Sequence, residues 1–387
     1  MSTRSTRISR ELSRCFESRS STRTASEAAD LNRLRPGLSF LRGWIAENLR
    51  RDADAVMHYR DHLLANTGDV AGRRQIAFAL RRLKRPREAL VEARTLARAR
   101  PDDLEAQALH VETAFEAQQP SEAVRVLDRL SKQRESSREI RVLRVDMLGR
   151  HGRAAQAIKE AEAWLAAGPD DIPNRALAAR ASELGGDWTG AIAHLQHAVE
   201  LAPDSLAPRA LLARLLQHRN RWSEAEAEWR AANQRFPEHV GVLYEIAVCR
   251  EHTGDLIGAE SAARDALKRE PDNPELLNFL GYLFADHAFK LDEAVLLVRR
   301  ALSADPDNGA YLDSLGWAYF RLGRFDEARR LLERAVERTG GDAVVHEHLG
   351  DVYNSLRLNN LAVEQYRRSA AAGNRDPGLR AKLGTVR

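Results

Sequence analysis

Between Gly309 and Asp342 the chain reads GAYLDSLGWAYFRLGRFDEARRLLERAVERTGGD, with small or apolar residues at three- and four-residue steps: Leu312, Leu315, Gly316 and Tyr319, then Ala328, Leu332 and Ala335. This spacing predicts two amphipathic helices, broken at Leu322-Gly323-Arg324. A hairpin of this length cannot bury both apolar stripes by itself and needs a similar neighbour on each side. Stepping from Ala328 by the length of the hairpin gives Ala55, Ala89, Ala123, Ala157, Ala191, Ala225, Ala259, Ala294 and Ala362; every step is 34 residues except the 35 between Ala259 and Ala294. A small residue in fixed phase is what close helix approach demands, because a larger one would force the helices apart. Twelve residues before most of these alanines stand Gly43, Ala77, Val111, Val145, Ala179, Ala213, Ala247, Gly281 (thirteen before, across the insertion), Gly316 and Gly350, all small. Pro101, Pro169, Pro203, Pro237, Pro271 and Pro306 stop one hairpin and start the next.

The turns follow the same phase. Gly152, Gly186, Asn220, Gly254 and Gly323 fall where a first helix ends, and these residue types tolerate the left-handed backbone that closes a helix. Pro101-Asp102-Asp103, Pro203-Asp204-Ser205, Pro271-Asp272-Asn273 and Pro306-Asp307-Asn308 offer caps to the following helix. The extra residue near Asp286-His287-Ala288-Phe289 predicts a slightly longer turn with the phase intact on both sides.

Leu312-x2-Leu315-Gly316-x2-Tyr319, then Ala328-x3-Leu332 with Gly340 in the proline place, resembles the tetratricopeptide signature W-x2-L-G-x2-Y, A-x3-F, P. The next unit repeats it with His346, Leu349, Gly350, Tyr353, Ala362 and Tyr366. Arg42, His110 and Arg144 stand where the family usually has leucine. The resemblance implies an all-α, right-handed superhelical solenoid of ten hairpins: 36–69, 70–103, 104–137, 138–171, 172–205, 206–239, 240–273, 274–308, 309–342 and 343–376. Residues 1–35 are expected to be a solvated, disordered arm, with a short helix near 26–35 covering the first hairpin. Residues 377–387, where Leu383-Gly384 begins another repeat, are expected to form a truncated capping helix.

Composition adds a boundary to this picture. Of the net charge of +4, all is carried by residues 1–35, which hold eight arginines and four acids, so the repeat region is neutral overall and shows no general bias toward nucleic acid. No apolar run approaches the ~20 residues that span a bilayer. The N-terminus lacks the apolar core of a secretory signal, so the chain as written is expected in the cytoplasm, or at the envelope if translation starts upstream. Cys15 and Cys249 are too few for a disulfide scaffold and lack metal spacing.

Chemistry-bearing motifs are sparse. There is no phosphate-binding loop, no H-E-x-x-H and no G-x-S-x-G. His346-Glu347-His348 opens like a zinc motif but has Gly350 at the fifth position. Asp305 to Gly309 is an inter-repeat turn, not a calcium loop. His58 and His62, or His194 and His197, would leave a metal's coordination shell incomplete. No catalytic constellation, cofactor or metal is expected. Arg73, Arg74, Arg81, Arg82, Lys84, Arg85 and Arg87 make one face of the second hairpin basic, read as a solvated surface in preference to a site for an acidic segment or a phosphate.

Within each first helix, the fifth, ninth and twelfth residues form a stripe apart from the packed one. The resemblance implies that this stripe lines a concave groove. Toward the C-terminus it carries Tyr244, then Asn278 and Tyr282 with Phe279 alongside, then Asp313, Trp317 and Phe320, then Glu347 and Asp351. Rings beside carboxylates fit a protein or peptide partner that offers Lys or Arg; Tyr282, Trp317 and Phe320 could equally fill gaps between hairpins. The leading expectation is a non-catalytic scaffold or adaptor with no small-molecule substrate. The alternatives are an accessory subunit of an envelope-assembly or glycosyltransferase system with catalysis on another chain, and an RNA-binding helical repeat. The Lys and Asn set by which chaperone-tail-binding members of the family clamp two carboxylates is not found.

Overall fold

A computed structural model describes residues 38–133 and 137–385; the arm and short helix expected within residues 1–35 lie outside them. All regular structure among the described residues is helical. The chain divides into two compact units, Met1–His194 and Leu195–Arg387. The first contains α1 (38–48), α2 (Asp52–Ala65), α3 (Val70–Arg82), α4 (Pro86–Ala99), α5 (Leu104–Glu116), α6 (Pro120–Gln133), α7 (Arg138–Arg150), α8 (Ala154–Ala167) and α9 (Ile172–Leu184). Helix α10 (Trp188–Leu201) carries the boundary. The second unit continues with α11 (Leu206–His218), α12 (Trp222–Arg235), α13 (Val240–Thr253), α14 (Leu256–Arg269), α15 (Pro274–Asp286) and α16 (Leu291–Ala304). It ends with α17 (Gly309–Arg321), α18 (Phe325–Thr339), α19 (Ala343–Ser355), α20 (Asn359–Ala371) and α21 (Pro377–Thr385). Within each unit, odd- and even-numbered helices pair as hairpins, and each hairpin packs on the next: an all-α repeat architecture in which no single hairpin owns a complete core.

The alanines explain how the pairs close. Ala55, Ala89, Ala123, Ala157, Ala191, Ala225, Ala259, Ala294, Ala328 and Ala362 are each 0% exposed. The companion position shows volume matching. A Cβ on Gly350 would lie 2.4 Å from the Tyr366 ring, one on Gly281 2.4 Å from Val298 Cγ2, and one on Gly316 2.7 Å from Leu332 Cγ. Where α7 instead carries Val145, the matching residue of α8 is Ala161, and both are fully buried. In these hairpins a glycine sits opposite a bulky partner and Val145 opposite a small one, whereas Val111 is matched by Leu127, also fully buried.

Caps terminate the helices as their side chains allow. The carboxylate of Asp103 accepts hydrogen bonds from the amides of Glu105 and Ala106, and the Asn308 carbonyl oxygen from those of Ala310 and Tyr311. Ser205 makes no such bond. A residue just after each first helix, two positions on in nine hairpins and one position on at Gly254, has positive φ: Arg50, Lys84, Gln118, Gly152, Gly186, Asn220, Gly254, Ala288, Gly323 and Arg357. Half of these were marked by Gly or Asn. The other half hold a conformation that costs a side-chain-bearing residue roughly 1–2 kcal/mol, so packing on both sides of the turn enforces it. The inserted residue lengthens one turn to positions 287–290, where Lys290 is also left-handed.

The basic face of the second hairpin differs from expectation. Its arginines are not simply solvated. Arg82 pairs with Glu47 and Asp52 of the hairpin before. Arg74 pairs with Asp103 at the end of its own hairpin and with Glu105 of the next, and Arg81 with Glu112 and Glu116 of the next. Arg73 reaches Glu92, and Arg85 reaches Glu88. These charges are neutralised in place and tie neighbouring hairpins together.

Helix α21 packs on α20, and its Leu379 is 2% exposed. Leu383 is only half-buried, and a Cβ on Gly384 would meet nothing within 4 Å. No helix of the described residues is long and apolar enough to cross a membrane.

Candidate partner-binding face of hairpins seven to ten

The stripe residues of α13, α15, α17 and α19 all lie in the second unit, one helix per hairpin. They fall into an aromatic edge pair, a stacked aromatic centre and an acidic end. At the start, Tyr244 meets Phe279 edge to face, with ring centroids 5.3 Å apart. Both are half-buried, as is Asn278, whose buried Oδ1 has no hydrogen-bond partner.

At the centre, Trp317 stacks on Phe320 at 4.8 Å and on His348 at 4.0 Å, each with rings 12° apart. Its indole N–H donates to Asp286 Oδ1 at 3.1 Å. Trp317 is 7% exposed, so the packing alternative applies to this ring, while Phe320 remains half-buried. Asp313 is equally covered, and its Oδ1 accepts from His348 Nδ1 at 2.9 Å. Neither Asp313 nor Trp317 is therefore open to a ligand without rearrangement.

Tyr282 marks where the acids converge. Its phenol is pushed well above the ordinary range, first by burial and then by the charges of Asp286, Asp313, Glu251 and Glu347. Those four carboxylates come from four successive first helices, each of which contributes one. Glu251 is itself raised, by burial foremost and by Asp286 in addition. Neither Glu251 nor Asp286 has an ion-pair partner among the described residues.

At the end, Glu347 and Asp351 are occupied. Lys382 of α21 places its ammonium 2.7 Å from Glu347 Oε1 and 2.7 Å from Asp351 Oδ2. Asn374 Nδ2 donates to Glu347 Oε2 at 2.6 Å, and the Tyr366 hydroxyl to Asp351 Oδ1 at 2.9 Å. Burial pulls the Lys382 pKa down, but the two carboxylates more than offset it and hold the amine charged. Residues such as Glu347 and Asp351, four apart on one helix face, suit one ammonium between them.

The His348–Asp313 pair makes the junction of α17 and α19 sensitive to pH. Burial lowers the imidazole pKa, yet Asp313, Asp351 and Asp286 outweigh it, and the net displacement is upward from 6.5. A raised folded pKa means that the pair's stabilisation is complete below about pH 6.5 and is lost as pH climbs through the folded value. Thermal melts between pH 6 and pH 9 should show the second unit weakening with rising pH, a trend that His348→Gln removes. An identical slope in that variant would assign the effect elsewhere.

Sequence reasoning missed His348, Asp286 and Lys382. No group of three potential metal ligands is present among the described residues. His62, paired in the sequence with His58, instead lies 2.9 Å from the capping carboxylate of Asp69.

Comparison with known proteins bears on the fold. Two models described as tetratricopeptide repeat match the chain, one over residues 185–231 and 287–349, the other over 108–172, 210–263 and 258–309. No curated protein sequence matches. Among solved structures, the APC/C hetero-tetramer Cut9–Hcn1 has a TM-score of 0.50 at 14% identity, covering 91% of this chain and 76% of that one. A tetratricopeptide repeat protein from Parabacteroides merdae gives 0.44 at 14% identity, over 56% and 98% of the two chains. MamA from Desulfovibrio magneticus gives 0.37 at 16% identity, over 42% and 92%. At such identities a likeness speaks for the fold alone. With two family models spanning more than half of its length and the alanine phase fully buried, the chain belongs to the tetratricopeptide repeat family.

Proposed function

We propose that this chain is a scaffold that holds a partner protein against the carboxylate-and-ring face of hairpins seven to ten, and that the partner supplies Lys or Arg side chains. Tetratricopeptide repeats serve as protein-interaction scaffolds, and a preformed face of stacked helices costs little ordering when a partner arrives. The observation that carries the reading is Lys382: an ammonium from outside the stripe is already seated between Glu347 and Asp351. Glu251 and Asp286 offer the same chemistry further along without a resident cation. Half-buried Phe279, Tyr282 and Phe320 provide apolar surface beside them. Acids of this kind favour fast encounter and correct orientation, and the rings supply contact area.

Site-specific photo-crosslinking tests this in the native cell. A photoreactive residue at Phe279 or Phe320 should trap one partner, and the Glu251→Gln/Asp286→Asn background should reduce the yield. The same probe at Leu296, which is 62% exposed on α16, should trap little. Partner yield concentrated at Leu296, or undiminished in the neutralised background, would contradict the proposal.

A further inference from the structure

A cavity in hairpins two and three has the opposite charge to that face. It measures about 560 Å³, and four arginines line it: Arg94 and Arg98 from α4, Arg125 and Arg129 from α6. Glu122 is the single carboxylate of the lining. Arg94 grips that carboxylate with two bonds, Nε at 2.8 Å and Nη2 at 2.6 Å, and Arg129 donates to Gln107 Oε1 at 2.8 Å. Arg98 and Arg125 have no hydrogen bond or ion pair among the described residues. This contrasts with Arg73, Arg74, Arg81, Arg82 and Arg85 of the same region, each neutralised by a carboxylate.

A second departure coincides with the first. His110, in a place where the family usually has leucine, lines this same cavity. It is 7% exposed, one ring nitrogen lies 2.7 Å from Glu122 Oε1, and its buried Nδ1 has no partner. A buried polar atom left unpaired is a cost that leucine would avoid. The equivalents of Arg94, Arg98, Arg125 and Arg129 between hairpins nine and ten are Glu333, Glu337, Glu364 and Arg368; between hairpins seven and eight they are Arg264, Lys268, Leu296 and Arg300. Arginine fills all four positions only between hairpins two and three, and only the third hairpin has histidine in the leucine place.

From these two coinciding departures we propose that the cavity binds a small phosphate ester. Its phosphoryl group lies against the Arg98 and Arg125 guanidinium groups, and its organic part lies against Ala97, Pro101 and Val126. Guanidinium forks match phosphoryl oxygens geometrically, and a dianion answers the excess of positive charge in the lining. The volume is in the range of small-molecule sites. Arg94, locked by Glu122, keeps the wall in place without being consumed by the ligand. This site lies in the first unit and is independent of the carboxylate face.

Isothermal titration of the full chain with phenyl phosphate tests the assignment, with phenol as the uncharged control. Phenyl phosphate should bind saturably at one site, phenol should not, and Arg98→Ala/Arg125→Ala should weaken binding by about tenfold or more. Since neither arginine has a hydrogen bond or ion pair among the described residues, the variant's melting curve should match that of the parent. No saturable binding of phenyl phosphate, or equal affinity in the double variant, would overturn the proposal.

Discussion

Replacing Trp317 by alanine should lower the stability of the second unit by about 3–5 kcal/mol, the range for a buried tryptophan or phenylalanine truncated in place. The ring is 7% exposed and stacks on Phe320 and His348. Its removal also takes the indole donor from Asp286 and uncovers the imidazole that holds Asp313. Chemical denaturation should show an earlier midpoint for this variant. Loss of partner binding would accompany the loss of stability, so Trp317→Ala cannot distinguish contact from packing. Glu251→Gln can, because among the described residues that side chain has no ion pair, and burial raises its pKa by disfavouring the charged form. Its substitution should keep or raise stability while reducing attraction for a cationic partner. A Trp317→Ala protein as stable as the parent would contradict the buried stack.

Ala328→Leu should cost about 1–3 kcal/mol or more, the usual penalty for forcing extra methylenes into a close-packed contact. Ala328 is 0% exposed. Nearby, Gly316 already leaves no room for a Cβ against Leu332. The same substitution at Ala225 or Ala259 should behave alike, since both are equally buried. At Ala193, an exposed alanine on α10, leucine should change stability by no more than about 0.5 kcal/mol. Denaturant midpoints at constant slope provide the comparison. Equal tolerance of leucine at Ala328 and Ala193 would contradict the close-approach account.

Local features of the fold were legible because they repeat. The alanine phase, the caps at Asp103, Asn273 and Asn308, and the turn glycines each follow from what one residue type allows at one backbone geometry. Lys84, Gln118 and Arg357 gave no such sign of a left-handed turn, because there the neighbouring helices impose the conformation. The site was harder to read for a related reason. Its contacts join residues one repeat apart: Trp317 to Asp286 across 31 positions, His348 to Asp313 across 35, Lys382 to Glu347 across 35. A stripe drawn along single helices finds Asp313 and Glu347 but not the residues that occupy them. The structure pairs Glu327 with Arg324 and Glu333 with Arg329, and the second hairpin's arginines pair largely between hairpins.

A repeat region that is neutral overall can still carry charge of both signs in separate places. Charge is sorted along it: four acids around Tyr282 in the second unit, four arginines around one pocket in the first. Net charge averages these away, so composition alone hid both.

Fluorescence anisotropy of a labelled oligolysine peptide is the most direct measurement of whether the carboxylate face takes a cationic partner. The account predicts saturable binding that weakens as salt is added, and an affinity lower by about tenfold or more in Glu251→Gln/Asp286→Asn. Equal affinity for the parent and the neutralised chain would contradict it.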